Sequence, residues 1–210
     1  MPITDPFEEH TDRYEEWFEA HDAAYASELS AVRELLPEGG RGLEIGVGSG
    51  RFAGPLDVDV GVDPAPTMLA YARERGVQVA VGVAEDLPFR DASFDAALIV
   101  TTICFVDDVP STLEEARRVL APDGRLVIGY VDRESPLGQH YQEMREENPF
   151  YRDATFHSTE ELESAVRAAG FDDIAFRQTI FEIPGEMTAP EESREGYGEG
   201  SFVVIAGTPT

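Results

Sequence analysis

Four residues in one short stretch have the types and the spacing of a ligand-binding turn. Glu44 lies inside the apolar segment Gly42–Ile45, and Gly46, Gly48 and Gly50 follow it. Glycine adopts positive φ without steric cost and lets a ligand lie against bare backbone. A buried strand that runs into a glycine turn and the start of a helix forms a cradle for a nucleotide-like ligand.

The spacing of these glycines differs from the dinucleotide-binding fingerprint. That fingerprint has glycine at its first, third and sixth positions, whereas Arg51 occupies the sixth position in this chain and the third glycine, Gly50, is at the fifth. The carboxylate of Glu44 would also repel a diphosphate. The stretch therefore favours a ligand with a cationic amino acid end over one with a pyrophosphate.

The elements that must position this turn are strands alternating with helices. Helical spacing of aromatic residues predicts a helix from Asp12 to Leu36, and Pro55 shortens the helix after the glycine turn. Residues 1 to about 12 and the acidic segment 182–200 are predicted as loosely ordered loops. The predicted strands are Gly42–Ile45, Val58–Val62, Val77–Val81, Asp95–Val100, Leu126–Val131, Phe171–Phe181 and Phe202–Ala206.

Four segments, in this order, resemble the motifs of class I S-adenosylmethionine-dependent methyltransferases of the methyltransferase-11 type. The resemblance spans roughly Tyr14 to Phe171, and its motifs are Glu44–Gly50, Gly61–Leu69, Gly82–Phe89 with Ser93–Asp95, and Arg118–Leu126. It implies an α/β, Rossmann-like sheet of seven mostly parallel strands in the order 3-2-1-4-5-7-6, with strand 7 antiparallel and helices on both faces. It also implies S-adenosyl-L-methionine as the cofactor and direct in-line transfer of its methyl group.

The resemblance assigns the polar parts of this cofactor to particular residues. Glu44 would hold the methionine ammonium group, and the turn Gly46–Gly50 would supply room and N–H donors near the carboxylate. Asp63 ends the second strand, where open α/β sheets bind ligands. It would accept bonds from two ribose hydroxyls, the alternative being that it caps the next helix. Tyr14 would close over the methionine end.

The adenine end departs from the family pattern. Val83 stands where relatives often carry an acid that meets the adenine amino group. Recognition would then fall to the backbone around Ala84 and to the side chain of Glu85 or Asp86. Of these two acids, Glu85 is favoured, the alternative being a solvated carboxylate.

Apolar side chains would complete the cofactor site. Pro64 and Met68 would offer faces to the adenine, and Leu87 would form the second wall of its slot. Thr101 follows the fourth strand, where relatives meet the centre of the cofactor and the acceptor. Direct methyl transfer needs no protein nucleophile, so Cys104 is not assigned that role.

The acceptor is predicted to be a small molecule. The "D-P-P-Y" type of stretch that marks nucleic acid amino-methyltransferases does not follow strand four, and metal-ligand spacing is lacking. A base for the acceptor could be Tyr14, His21 or His140, and the sequence does not choose among them. The chain is expected to form one domain, 1–210, with N-terminal lid helices 12–37, a cofactor core 41–131, a substrate lid 132–157, and a C-terminal helix and hairpin 158–207.

Composition restricts the partners and the environment. The net charge is −26, with 16 Arg and no Lys, which argues against binding a nucleic acid backbone. An acidic surface without Lys predicts a halophilic source, where salt screens repulsion; the alternative is an acidic protein of ordinary cytoplasm. Cys104 is the only cysteine, and no apolar run has the length of a membrane span. We expect a cytoplasmic monomer or homodimer.

Two other functions remain open at this point. One is a nicotinamide-dependent oxidoreductase on a similar sheet, against which Arg51 and Pro55 count. The other is a protein that binds S-adenosylmethionine or a partner without catalysis.

Overall fold

A computed structural model describes residues 4–210. Eight strands are present in this part of the chain: β1 Gly42–Ile45, β2 Val60–Asp63, β3 Gln78–Val81, β4 Phe94–Val100, β5 Leu120–Val131, β6 Phe171–Thr179, β7 Arg194–Glu195 and β8 Phe202–Pro209. The helices there are α1 Asp5–Glu9, α2 Thr11–Ala20, α3 Asp22–Leu35, α4 Pro66–Glu74, α5 Val109–Val119, α6 Pro136–Glu143 and α7 Thr159–Ala168.

The strands form one mixed sheet in the order β3-β2-β1-β4-β5-β8-β6-β7. Strands β1 to β5 pair in parallel, and β8 runs antiparallel between β5 and β6. The predicted Rossmann-like class and strand order are therefore confirmed. The sheet differs by one additional edge strand, the two-residue β7, which pairs with β6.

The pleat of β1 separates its side chains into two layers. Leu43 and Ile45 are fully buried in the core on one face. Glu44 pairs in register with Leu98 of β4, which belongs to the core of the opposite face. Side chains on neighbouring strands in register point the same way, so Glu44 enters the layer that also contains Val47.

The N-terminal segment is more regular than the sequence predicts. Asp5–Glu9 form a helix where a loose segment was expected, while residues 1–3 lie outside the described part. The single helix predicted from Asp12 to Leu36 is divided at His21 into α2 and α3. The backbone leaves the helical region at His21, where φ is −125° and ψ is 46°. The Trp17 carbonyl accepts the His21 backbone N–H and lies 2.9 Å from its ring Nδ1.

Other segments differ from expectation for identifiable reasons. β5 begins at Leu120 rather than Leu126, because Leu120 pairs with Phe94 across a β-bulge. The segment predicted as an irregular lid, 132–157, contains α6. The acidic segment 182–200 contains β7 and is tied to α3, since the Glu191 N–H donates to Ser27 Oγ at 2.8 Å. Across residues 4–210, no helix has the length and hydropathy needed to cross a bilayer.

Candidate active site

A cavity lies at the carboxyl ends of β1, β2 and β4, bounded above by α1, α2 and the segment after β5. Nine residues predicted to contact the cofactor line it: Tyr14, Gly46, Gly48, Asp63, Pro64, Met68, Ala84, Glu85 and Thr101. The structure does not bring Glu44, Gly50 or Leu87 to its wall. Glu44 lies in the layer beneath the turn, and Gly50 and Leu87 are buried in packing contacts.

Two of the three glycines are required by packing. A Cβ on Gly46 would overlap the side chain of Thr102, whose Oγ1 donates to the Gly46 carbonyl at 3.0 Å. A Cβ on Gly50 would lie 3.0 Å from Ala72 Cα, so this glycine lets α4 approach the turn. Both residues have positive φ, 73° and 79°, which adds strain to any larger side chain.

Gly48 borders the cavity in a different way. Its φ is 49°, and a Cβ there would meet no backbone. The nearest atoms would be Met68 Cε at 3.5 Å and the Tyr14 hydroxyl at 3.7 Å. A side chain at Gly48 would therefore project into space between two residues that line the cavity, which is where a ligand could lie against the turn.

Two carboxyl groups lie on either side of this turn. Glu44 is 1% exposed, and its Oε2 has no hydrogen-bond partner among the described residues. Burial raises the pKa of Glu44 well above the ordinary value. A hydrogen bond with the Ala53 backbone opposes this rise, and the charge of Asp63 adds to it. A buried carboxyl oxygen without a partner costs free energy, so the position suits a cationic ligand group.

Asp63 is held by the backbone on both sides. Its Oδ2 accepts the Gly48 N–H and its Oδ1 accepts the Ala65 N–H, each at 2.9 Å. Ala65, not Asp63, is the N-cap residue of α4. Burial raises the pKa of Asp63, and these two hydrogen bonds oppose that rise. Each carboxylate oxygen keeps capacity for a further donor.

Tyr14 covers the turn from α2. Its ring packs edge-on against Phe18, with centroids 5.1 Å apart. Burial raises the pKa of Tyr14 far above its ordinary value, and the charges of Glu44 and Asp63 raise it further. The phenol therefore stays protonated at neutral pH.

The far end of the cavity is bounded by the loop after β3. Glu85 lines it, and its Oε1 accepts the backbone N–H groups of Asp107 and Asp108 at 2.7 and 3.2 Å. Leu87 was expected here as a wall. It is instead 3% exposed in the core beneath, where its N–H donates to Glu115 Oε2 at 2.7 Å.

Comparisons with known proteins agree with this architecture. A family model described as "Methyltransferase domain" matches residues 43–128. An uncharacterised protein of Methanocaldococcus jannaschii is 42% identical over 200 residues, covering 95% of this chain and 97% of that protein.

A solved structure supports the same assignment over the whole fold. It comes from Thermotoga maritima and is named "SAM-dependent methyltransferase, possible histamine N-methyltransferase". It has a TM-score of 0.95 and 53% identity, covering 98% of this chain and 99% of that chain. The protein belongs to the S-adenosylmethionine-dependent methyltransferases. A malonyl-[acyl-carrier protein] O-methyltransferase of Methylococcus capsulatus is 29% identical, over 70% of this chain and 57% of its own. The oxidoreductase and non-catalytic alternatives are therefore set aside.

The cofactor of this methyltransferase is S-adenosylmethionine, and one feature beneath the cavity and one on its wall fit this molecule. The unpartnered oxygen of Glu44 matches a molecule with a cationic amino acid end. The space beside Gly48 matches a ligand that lies against bare backbone. When bound, this cofactor supplies an electrophilic methyl group next to a positive sulfur.

The other half of the methyltransferase cavity is aromatic. Phe150, in the predicted substrate lid, packs against rings of the N-terminal helices, with centroid distances of 5.5 Å to Phe7 and 6.1 Å to Tyr14. Side chains of this half that sequence reasoning did not assign to the site are Phe7, Trp17, Glu28, Phe105, Tyr130, Tyr141, Tyr151, Phe156 and His157. The signal for Glu28 was present, since it is an acid on the apolar side of α3.

The candidate bases are not brought together. His21 stacks on Trp17 at 4.9 Å, His140 is exposed, and neither lines the cavity. His157 does line it, and burial lowers its pKa. Burial also raises the pKa of Cys104 to about 12, which keeps the thiol protonated and unsuited to attack.

Proposed function

We propose that this methyltransferase transfers a methyl group from S-adenosylmethionine to a small-molecule acceptor enclosed by the aromatic half of its cavity. The observation that carries the proposal is the continuity of one cavity, from the glycine turn and Asp63 to Tyr141 and Tyr151. An acceptor bound in the aromatic half would lie beside the cofactor inside the same cavity.

The proposal assigns the polar cofactor contacts to three side chains. Glu44 compensates the charge of the methionine ammonium group, directly or through water. Asp63 accepts the two ribose hydroxyls, and the Gly48 N–H holds its carboxylate in place. Tyr14 covers the methionine end from α2.

The adenine contacts are assigned to the opposite wall. Pro64 and Met68 supply apolar faces, Ala84 supplies backbone polar groups, and Glu85 fixes the adjoining loop. Support for Leu87 as a wall is lacking, because it is buried away from the cavity.

The chain's own residues align the reactants and exclude water. Alignment of a nucleophile with the bond that must break supplies much of the rate enhancement in such a reaction, and a closed apolar cavity strengthens the electrostatic contacts inside it. The rings of Phe150 and Tyr14, from the two covering segments, lie with their centroids 6.1 Å apart.

The names of relatives do not agree on an acceptor. The Thermotoga maritima protein is named for histamine and the Methylococcus capsulatus protein for malonyl-[acyl-carrier protein]. The acceptor of this chain must therefore be inferred from its own cavity.

The acidic, Lys-free composition of the chain also supports a cytoplasm of high salt concentration as the working environment.

Calorimetry and product analysis test the proposal. We expect binding of S-adenosylhomocysteine and none of NADH, and we expect labelled methyl groups from S-adenosylmethionine to appear in small molecules of a metabolite extract. Asp63→Ala should abolish both results, whereas the exposed control Asp123→Ala should abolish neither. Binding of NADH instead, or label only in macromolecules, would contradict the proposal.

A further inference from the structure

One carboxyl group of the cavity has no part in holding the cofactor. Glu28 lies on the side of α3 that faces the sheet, in the same helical stripe as Ala24, Ala31, Val32 and Leu35, all of which are buried. Glu28 is itself only 4% exposed, and its side chain lines the cavity. An acid in such a stripe costs stability unless it meets a partner.

The described residues offer Glu28 no cationic or hydrogen-bonding partner in the absence of a ligand. Burial alone raises its pKa to about 8. Arg13 also lines the cavity but is exposed, and its guanidinium lies 6.0 Å from the Phe150 ring rather than beside Glu28. The buried acid therefore remains uncompensated by the protein.

Aromatic rings from three segments line the same cavity as the carboxyl group. Burial raises the pKa of Tyr14, Tyr141 and Tyr151, and the negative charge of Glu28 adds to each rise, so all three lie within its field. Tyr141 and Tyr151 stack with centroids 4.3 Å apart, and Phe156 lies 6.1 Å from Tyr151. We call Glu28, Tyr141, Tyr151 and Phe156 the acceptor chamber.

Charge and shape together select one class of ligand for this chamber. A cation would compensate the Glu28 carboxylate, and aromatic faces attract cations more strongly in a dry site than in water. An anionic acceptor would bring a like charge to a buried carboxylate at a high cost. A neutral acceptor would leave the carboxyl group protonated and would gain no charge attraction from it.

We propose that the methyl acceptor is a small organic amine that enters the acceptor chamber in its protonated form. Glu28 binds its ammonium group there and takes one proton from it, so that the neutral nitrogen attacks the methyl carbon as the carbon–sulfur bond breaks and S-adenosylhomocysteine leaves. This inference rests on the proposed function, since it names the class of molecule that the same cavity accepts. Glu28 is thus a binding residue for the acceptor, whereas Glu44 and Asp63 serve the cofactor.

The proposal predicts a proton balance for binding. With a pKa of about 8, Glu28 carries a proton at pH 7 in the empty chamber and must lose it when an ammonium group binds. The phenols of Tyr14, Tyr141 and Tyr151 and the thiol of Cys104 do not titrate near this pH, because burial raises all their pKa values. Amine binding at pH 7 should therefore release close to one proton.

Matched probes test the charge requirement directly. The probes are butylamine, 2-phenylethylamine and tryptamine, each with the alcohol and the carboxylate of the same carbon skeleton. Calorimetry is carried out on the full chain saturated with S-adenosylhomocysteine, so that the occupancy of the cofactor site beside Glu44 and Asp63 does not change. Buffers of different ionisation enthalpy report the number of protons released. We expect amines to bind with proton release and the alcohols and carboxylates to bind at least about 10-fold more weakly.

A single substitution separates Glu28 from the rest of the cavity. Glu28→Gln keeps the shape but removes the charge, and it should weaken amine binding about 10- to 100-fold and abolish proton release. Affinity for S-adenosylhomocysteine should stay within about two-fold of the original. The control, Glu16→Gln at an exposed position of α2, should change neither property.

The outcomes distinguish this inference from the function on which it rests. If S-adenosylhomocysteine binds and methyl transfer occurs, but the accepted molecules are carboxylates or alcohols, the amine inference is wrong and the methyltransferase proposal stands. Unchanged amine binding in a folded Glu28→Gln protein also overturns it, as does amine binding to the original protein without proton release. If neither methyl transfer nor cofactor binding occurs, both fail.

Discussion

The backbone N–H of Gly48 donates a 2.9 Å hydrogen bond to Oδ2 of Asp63. This bond joins the turn after β1 to the tip of β2, the two places where the sequence predicts cofactor contacts. Asp63 therefore has two roles, since its carboxylate fixes the shape of the glycine turn and keeps lone pairs for a ligand.

Replacement of Asp63 should weaken cofactor binding in two distinguishable steps. Asp63→Asn retains an acceptor oxygen but loses the charge, and it should reduce the affinity for S-adenosylhomocysteine about 10- to 100-fold, the scale of charge-assisted hydrogen bonds. Asp63→Ala also leaves the Gly48 N–H without its acceptor, and this variant should bind S-adenosylhomocysteine more weakly still. Titration calorimetry measures both, with Asp123→Asn as the control. Equal affinity in all variants would show that Asp63 does not contact the ligand.

Alanine at Gly46 should mainly lower stability, whereas alanine at Gly48 should mainly weaken cofactor binding. Gly46→Ala places a Cβ against Thr102 at positive φ, and it should lower the free energy of unfolding by about 3 kcal/mol. Gly48→Ala meets no backbone, so it should cost only about 1 kcal/mol while filling cofactor space and reducing S-adenosylhomocysteine affinity. Denaturant melts and calorimetry on both proteins check this. Two variants with the same loss of stability would refute the distinction.

Glu28 should make the stability of the unliganded protein fall as pH rises. Its pKa is about 8 in the folded protein against an ordinary value of 4.5. The folded protein therefore holds a proton that the unfolded chain has released between these values, and folding is favoured at the lower pH. This rise in pKa corresponds to a loss of as much as about 5 kcal/mol in the free energy of unfolding at pH above 8. Glu44 and Asp63 act in the same direction.

The difference between the original protein and Glu28→Gln isolates this contribution. Urea melts from pH 4 to pH 9 should show the variant gaining stability relative to the original as pH increases from about 4.5 to about 8, with no further gain above that value. Near pH 4 the two proteins should be equally stable. A constant difference at all pH values would mean that the Glu28 carboxyl group is not desolvated.

Thr101 should carry conformational strain. It is β-branched and has a φ of 50° at the carboxyl end of β4, a conformation that such residues rarely adopt. Thr101→Gly should therefore raise the thermal unfolding temperature, by an amount corresponding to about 1 kcal/mol, while altering the kinetics of methyl transfer. A lower unfolding temperature in this variant would argue that packing of the side chain outweighs the strain.

Salt should stabilise the folded chain. The net charge of −26 produces repulsion that is stronger in the compact folded state than in the unfolded chain. Raising the salt from about 0.1 to 1 M shortens the screening length from roughly 10 to 3 Å and so weakens this repulsion. We expect the unfolding temperature to increase steeply with KCl. Sucrose, which carries no charge, serves as the control for general solute effects. An unfolding temperature independent of KCl would contradict the expected adaptation to high salt.

The strand order and most of the cofactor side of the cavity could be expected from the resemblance to the methyltransferase family. That resemblance rests on local signals, namely apolar runs of strand length, glycines at fixed spacing, and an acid at the end of β2. The rule that ligands bind at the carboxyl ends of parallel strands then brings Gly48 and Asp63 to one edge. No distant contact is needed for that argument.

The reasons for individual residues depended on contacts between distant segments. Gly46 and Gly50 look alike in sequence, but Thr102 and α4 explain them. Leu87 follows the third motif, yet it packs beneath the sheet because its backbone is held by Glu115. His140 looked available as a base, and the position of α6 leaves it exposed outside the cavity.

Glu28 shows most clearly where local pattern ends and packing begins. Helical spacing alone puts this acid on the apolar side of α3, and the sequence gives no function for it there. Only the docking of α3 on the sheet, together with Tyr141 and Tyr151 from more than a hundred residues further along the chain, turns that side into the wall of a cavity. Periodicity is set by neighbours in the chain, whereas the electrostatic environment of a side chain is set by whatever folds against it.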